Sequence, residues 1–143
     1  MTLRTKFLTF GVVLAGFAAT SCATEAASDR ADARAAEADA VLADYRPTGA
    51  TRSCLSLRSI DDIEPLDETR WLITLNNGDA YLNEVSRGCR QATSDFTYLQ
   101  YETPTGSLCA SEIVRVIDRS GDMVVGSCSL GQHQTLEPIA DSH

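Results

Sequence analysis

The sequence predicts an all-β fold, a small curved sheet or partly closed barrel of about six strands cross-linked by two disulfides. Two observations lead to this prediction. From about residue 52 onward, short β-type runs alternate with turn residues, and no long helical period follows. Four cysteines lie in this part of the chain, and a domain as small as residues 52–138 is marginally stable unless it is cross-linked. Residues 139–143 are expected to be a C-terminal tail.

Residues 1–21 are predicted to be a signal peptide of the lipoprotein type. Arg4 and Lys6 precede residues 7–19, an uncharged apolar run of 13 residues, which is the layout of an export signal. A helix that spans a membrane needs about 20 apolar residues. We therefore expect this segment to be removed rather than kept as a membrane span.

Cys22 is the predicted lipidation site. The residues Ala19-Thr20-Ser21-Cys22 resemble the lipobox of bacterial lipoproteins, with Ala19 where that motif usually has Leu. Ala23 is not the Asp that resembles an inner-membrane retention signal, so we expect a lipid anchor facing the periplasm, in the outer membrane rather than the inner. The alternative is cleavage after Ala23, which releases a soluble periplasmic protein without Cys22.

The mature chain is strongly acidic. The 12 basic residues lose Arg4 and Lys6 with the signal and oppose 20 acidic residues, so the net charge becomes about −10. A chain of this sign repels phosphate backbones, which argues against nucleic acid as a partner. Cationic partners and divalent ions remain compatible with this charge.

Residues 22–51 are predicted to be a lipidated N-terminus and an alanine-rich tether. Eleven alanines lie between residues 23 and 50, without a stripe of bulky apolar side chains. A helix is expected from about Ser28, a possible N-cap, to about Ala43, because Pro47 and Gly49 would stop it. We expect a partly helical, solvated spacer, and a helix with a specific binding role is the alternative.

The β domain begins with a predicted strand over residues 54–60. Residues 70–75 and 80–85 should form a hairpin, because Asn77-Gly78 lies between them and suits a type I′ turn. Residues 96–102 and 107–110 are expected to form a second pair.

A last hairpin should join residues 113–118 to residues 123–130 through the turn at 119–122.

Four cysteines, Cys54, Cys89, Cys109 and Cys128, permit three disulfide pairings. We expect Cys54 to bond Cys128, which would tie the first strand to the last. Cys89 would then bond Cys109 and close the middle of the domain.

The residue order from Cys54 to Gly131 resembles a family of small, four-cysteine envelope lipoproteins of Gram-negative bacteria, known only as a domain of unknown function. The resemblance covers roughly residues 52–131 and rests mainly on the four cysteines and the hairpin between the first two. The residues that carry it are Cys54, Leu66-Asp67, Trp71, Gly78, Tyr81, Asn83, Cys89, Leu108-Cys109, Ile113, Cys128 and Leu130-Gly131. It implies a fold and an envelope location, and it brings no catalytic residue, ligand or partner.

The sequence offers little for catalysis. A histidine is the usual base beside a nucleophile, and only His133 and His143 exist. His133 lies in a polar stretch, where we expect a solvated loop histidine. No nucleophile motif is found and no C-x-x-C pair suggests zinc or redox chemistry, so we predict a protein that is not an enzyme and needs no metal or other cofactor.

Residues 61–68 carry five carboxylates but do not match a calcium-binding loop, so we expect a solvated, charged turn between two strands. Trp71 alternates in register with Ile73 and Leu75, which predicts a core position. Tyr98, Tyr101 and Arg90 are instead the hypothesised exposed contact patch.

Two functions remain open. The first is a non-enzymatic, lipid-anchored envelope protein that binds another protein or an envelope polymer. The second is a periplasmic module for a small molecule or an ion, or less readily a hydrolase, which would use Asp67, Tyr81 and His133 at the mouth of the barrel. The oligomeric state does not follow from the sequence.

Overall fold

A computed structural model of the chain describes residues 22–86 and 88–139. The predicted signal peptide, His143 and most of the predicted tail lie outside these ranges. Within them, one helix and a short 3-10 turn at Leu57–Ser59 accompany ten strands. The elements are α1 Cys22–Leu42, β1 Tyr45–Arg52, β2 Cys54–Ser56, β3 Ile60–Pro65, β4 Arg70–Leu75, β5 Ala80–Glu84, β6 Thr97–Tyr101, β7 Ser107–Cys109, β8 Ile113–Asp118, β9 Met123–Ser129 and β10 His133–Pro138.

The strands form three antiparallel sheets. The largest has the order β1-β10-β5-β4-β3, a second has the order β6-β8-β9, and β2 pairs with β7. The predicted all-β fold with two disulfides is confirmed. The described chain contains ten strands rather than about six, however, and the sheets do not close into a barrel.

The five-stranded sheet is apolar on both faces. Because side chains alternate along a strand, Trp71 and Ile73 of β4 point to one face and Leu72 points to the other. The first face packs against β8 through residues such as Val114, and this main core contains Trp71 at 0% exposure, which confirms its predicted burial. The second face packs against Ala38 of α1. The five-stranded sheet is thus covered by α1 on one side and by the three-stranded sheet on the other.

The predicted tether is more structured than a solvated spacer. α1 begins before the expected Ser28, and Ala38 near its end is 1% exposed against the sheet, with Val41 and Leu42 packed beside it. These three residues share one face of a helix. Residues 45–51, expected in the tether, belong to β1, which pairs with β10. Ala38, Val41 and Leu42 therefore form a short apolar stripe that docks the end of α1 on the sheet.

Both predicted hairpins are confirmed, but the first turn was assigned the wrong type. The Gly78 N–H donates to the Leu75 carbonyl at 2.9 Å, and the Leu75 N–H donates to the Asp79 carbonyl at 2.8 Å. Within the turn only Gly78 has a positive φ, 89°. This is a three-residue loop with a bulge at the glycine, not a type I′ turn.

Two further strand predictions are wrong. The strand expected over residues 54–60 is divided by the 3-10 turn into β2 and the start of β3. β6 and β7, expected to pair with each other, pair instead with β8 and β2. The second error concerns pairing between distant parts of the chain, which local turn residues do not specify.

The predicted disulfide pairing is also wrong. Cys54 bonds Cys109, and Cys89 bonds Cys128. Cys54 and Cys109 lie directly opposite each other on β2 and β7, with their Cα atoms 4.0 Å apart. Cys89 and Cys128 are both buried in the main core, with Cα atoms 5.2 Å apart. The observed strand pairing therefore decides the disulfides.

Candidate functional site

A groove lies in a gap between the edges of the five-stranded and the three-stranded sheet. One wall is β3, the edge strand of the five-stranded sheet, and the other is β6, an edge strand of the three-stranded sheet. The cavity between them measures about 420 Å³. Volumes of this order are typical of ligand and peptide sites.

The floor of the groove is apolar. It consists of partly buried side chains that pack on the main core, so the groove opens directly onto the interior between the sheets. These residues are Leu57, Ile60, Ile63, Ala92, Leu99 and Tyr101. A bound apolar side chain would continue the packing of the core.

The β3 wall is acidic. Asp61 and Asp62 are exposed at the groove, and neither forms a salt bridge with any residue that the structure describes. The β3–β4 register shifts between Ile60 and Asp62, so Asp61 is the extra residue of a β-bulge. Pro65 ends the strand. These features are the ones that proteins use to keep an edge strand from pairing.

The β6 wall is aromatic and uncharged along the strand. The Tyr98 hydroxyl donates to Asp122 Oδ1 at 3.3 Å, and the Arg119 guanidinium carbon lies 5.9 Å from the centre of the Tyr98 ring. Partial burial and the Asp122 carboxylate raise the pKa of Tyr98. Arg119 Nε also donates to the Thr97 carbonyl at 3.0 Å, so Arg119 is held against its own wall.

The structure brings only two of the three residues of the hypothesised contact patch together. Tyr98 and Tyr101 line this groove, whereas Arg90 is not among the residues that line it. Arg119 is the basic side chain at the groove, and its position in a hairpin turn gave no signal in the sequence. The carboxylates of the opposite wall were noted in the acidic run but were assigned to a turn.

The acidic run is not one solvated turn. Residues 61–64 lie in β3, and Asp67 follows in a tight turn at 8% exposure. Asp67 Oδ1 accepts from the backbone N–H groups of Thr69 and Arg70, each at 2.7 Å, and Oδ2 accepts from Arg70 Nε at 2.7 Å. Burial raises the pKa of Asp67, but these hydrogen bonds outweigh it and hold the pKa below its ordinary value.

Arg70 connects this turn to α1. Its guanidinium also donates to Asp39 Oδ1 and, at 3.1 Å, to the Ala35 carbonyl. The cluster of Asp67, Arg70 and Asp39 is a structural clamp, because the Arg70 guanidinium bonds one carboxylate on each side and so joins the turn to α1.

The prediction of a solvated His133 is wrong, because β10 begins at this residue and turns its side chain into the core at 0% exposure. Asn83 Oδ1 accepts from the Gly131 N–H at 3.0 Å, so the Asn83 amide N–H donates to His133 Nδ1, also at 3.0 Å. His133 Nε2 then donates to the Leu108 carbonyl at 3.1 Å. The imidazole is neutral in this arrangement, and burial lowers its pKa.

The residues of the small-molecule alternative do not share a site. Tyr81 and His133 are buried on the inner face of the five-stranded sheet, while the Asp67 carboxylate is held in the clamp beside α1. Both nitrogens of His133 are engaged, so this residue has no free position for a general base.

The described residues contain no group of three or more His, Cys, Asp or Glu side chains that is arranged to hold a metal. Among the same residues, α1 is too polar to cross a membrane, and no other helix is long enough.

Comparisons of the chain with known protein families, curated proteins and solved structures find no match. The resemblance to four-cysteine envelope lipoproteins therefore stays a prediction.

Proposed function

We propose that this protein is a non-enzymatic binding module of the bacterial envelope, exported by its N-terminal signal and anchored by a lipid on Cys22. The observation that carries this proposal is the pairing of the other four cysteines into two disulfides. Disulfides of this kind form and persist in oxidising compartments such as the periplasm. The same pairing leaves Cys22 as the cysteine available for the lipid.

α1 would hold the domain away from the membrane. The helix begins at Cys22, and its 21 residues extend about 31 Å. Near its other end, Ala38 and the Arg70 clamp fix it to the five-stranded sheet. A lipid on Cys22 would therefore place the groove at a roughly constant distance from the bilayer, which we propose is the inner leaflet of the outer membrane.

Binding is favoured because of the shape and lining of the groove. It combines an apolar floor that includes Tyr101, the Tyr98 ring on one wall and two carboxylates on the other. Such a surface suits a protein segment or an envelope polymer. A small molecule is the second candidate, because a cavity of about 420 Å³ is also large enough for one.

The anchor is tested by the intact mass of the protein taken from the envelope, before and after reduction and alkylation. We expect a chain that begins at Cys22 with lipid attached and shows four thiols only after reduction. A lipid-free chain that begins beyond Cys22 would refute the anchor, and thiols that are free without reduction would refute the disulfides.

The binding role is tested by photo-cross-linking in cells from a probe at Asp62 in the groove. A probe at Asp29, which is exposed on α1, is the matched control. Reproducible adducts that depend on the groove position would support a macromolecular partner. Absence of any adduct at Asp62, together with a ligand that copurifies with the protein, would favour the small-molecule candidate.

A further inference from the structure

We infer that the groove binds an extended peptide with alternating apolar and basic side chains, which adds as a strand to the free edge of β6. This inference rests on the proposed binding function and specifies the partner's chemistry. It follows from three features of the groove: the open edge of β6, the apolar floor, and the carboxylates of β3, which form no ion pair within the part of the chain that the structure describes.

β6 is an open sheet edge beyond Thr97, whose carbonyl accepts from Arg119 Nε. It pairs with β8 on one side, and its sequence Thr-Tyr-Leu-Gln-Tyr contains neither a charge nor a proline. The other edge strands are protected or short. β3 has a bulge and Pro65, and β1 has Pro47 and an interrupted register. β9 has a bulge at Val125 and a bridge from Ser86 at its end, and β2 and β7 have three residues each. Among the described strands, β6 is therefore the one best suited to accept another strand.

The backbone of β6 presents hydrogen-bonding groups to the groove. The Arg119 N–H donates to the Phe96 carbonyl at 2.9 Å, which places residues 96, 98 and 100 in the hydrogen-bonded positions opposite β8. The N–H and C=O groups of Leu99 and Tyr101 then point away from β8, towards β3. An extended peptide in the groove would satisfy these groups.

The floor selects apolar residues at alternate positions. A strand beside β6 directs every second side chain to one face. On the inner side these side chains would reach Leu57, Ile60 and Ile63, which are only partly buried in the free protein. Covering this end of the main core would add apolar burial to the backbone hydrogen bonds.

The opposite wall selects positive charge. Asp61 and Asp62 face the groove without ion pairs among the described residues, and the whole chain has a net charge of −8. Arg119, the basic residue at the groove, is held on the β6 side by its Nε hydrogen bond to the Thr97 carbonyl and lies beside the Tyr98 ring. The same net charge disfavours a second copy of this chain as the occupant.

The test is calorimetric titration of the oxidised, lipidated mature protein in detergent with an acetylated eight-residue peptide of alternating Val and Arg. We expect this peptide to bind and a Val/Glu peptide of equal length not to bind. A Val/Arg peptide with N-methyl groups on alternate amides should lose at least about tenfold in affinity, because it cannot complete the ladder with β6. Equal affinity of the methylated peptide would overturn strand addition.

The charge contribution is tested with the double variant Asp61→Asn/Asp62→Asn. We expect about fivefold weaker binding of the Val/Arg peptide at low salt, with a smaller difference at high salt. The matched control Asp29→Asn/Asp32→Asn removes the same charge from exposed positions on α1 and should change affinity less than twofold. Equal losses in both variants would show non-specific attraction and overturn the assignment to the groove.

Amide hydrogen exchange gives a readout that attraction between charges alone would not change. Peptide binding should slow exchange at the Leu99 and Tyr101 amides, which form the free edge. Binding without protection there, or self-association of the protein without peptide, would overturn the inference. If no peptide binds while cross-linking from Asp62 still yields an adduct, this inference fails and the proposed binding function stands.

Discussion

His133 should make the protein lose stability in mild acid. Its ring is fully buried, Nδ1 accepts from the Asn83 amide, and Nε2 donates to the Leu108 carbonyl. A proton on Nδ1 would leave two donors facing each other and would place a charge in the core. The folded protein therefore resists protonation at this site, whereas the unfolded chain does not.

The sign and size of the effect follow from proton linkage. Burial lowers the pKa of His133 below its ordinary value of 6.5, although the hydrogen bond to Leu108 and the charge of Glu112 oppose this. As the pH falls below 6.5, the unfolded state takes up a proton that the folded state excludes, so acid favours unfolding. The free energy of unfolding should fall by up to about 1.4 kcal/mol per pH unit until the folded-state pKa is reached.

The assay is urea unfolding of the oxidised protein between pH 7 and pH 5, followed by fluorescence of Trp71, the single and fully buried tryptophan. Asp67 should not contribute in this range. Burial raises its pKa, but hydrogen bonds from Thr69 and Arg70 keep the pKa below its ordinary value of 3.8.

The variant His133→Gln removes the titrating group from the same position. It should be less stable at pH 7 by about 1–3 kcal/mol, because the Asn83 and Leu108 groups lose their partner. Its stability should nevertheless stay nearly constant from pH 7 to pH 5. A wild-type protein with equally constant stability, or a variant that loses stability in parallel with it, would refute the reasoning.

Three further predictions concern the clamp, the disulfides and one close approach of the backbone, each measured by urea unfolding. Arg70→Met should cost about 3 kcal/mol, because the buried Asp67 carboxylate loses its cation and keeps only the hydrogen bonds at Oδ1. Arg46→Met breaks an exposed ion pair and should cost less than about 1 kcal/mol. Equal costs would refute the clamp. Replacing both cysteines of either disulfide with serine should cost about 4 kcal/mol, since the sequence separations are 55 and 39, and non-reducing peptide mapping should recover the observed pairs. Gly131→Ala should cost about 1–3 kcal/mol because its Cβ would collide with the backbone carbonyl at the end of β5, while Gly121→Ala, which meets only a flexible side chain at 3.8 Å, should be nearly neutral.

The predictions that held depend on neighbours along the chain. The hairpins β4–β5 and β8–β9 follow from turn residues between two β-type runs, and Trp71 was placed in the core by alternation within a single strand. In each case the interacting residues lie close together in the sequence, so a short segment is enough to predict the hairpin or the buried position.

The candidate groove was found only in part. Tyr98 and Tyr101 stood out as aromatic residues in one strand, but their opposite wall, β3, lies more than thirty residues earlier in the chain. The carboxylates of β3 were visible as an acidic run, yet nothing in the run itself shows that it forms an edge strand. The site exists because two sheets from separate parts of the chain leave a gap.

The sequence by itself determined an all-β fold with two disulfides, the β4–β5 and β8–β9 hairpins and the acidic charge. The tertiary structure decided which strands pair at a distance, and with that the Cys54–Cys109 and Cys89–Cys128 disulfides, the burial of His133 and the docking of α1. The physical reason is that turns and alternation are local properties of the backbone. Long-range pairing depends instead on which of several compact arrangements buries most apolar surface while every buried polar group keeps a partner.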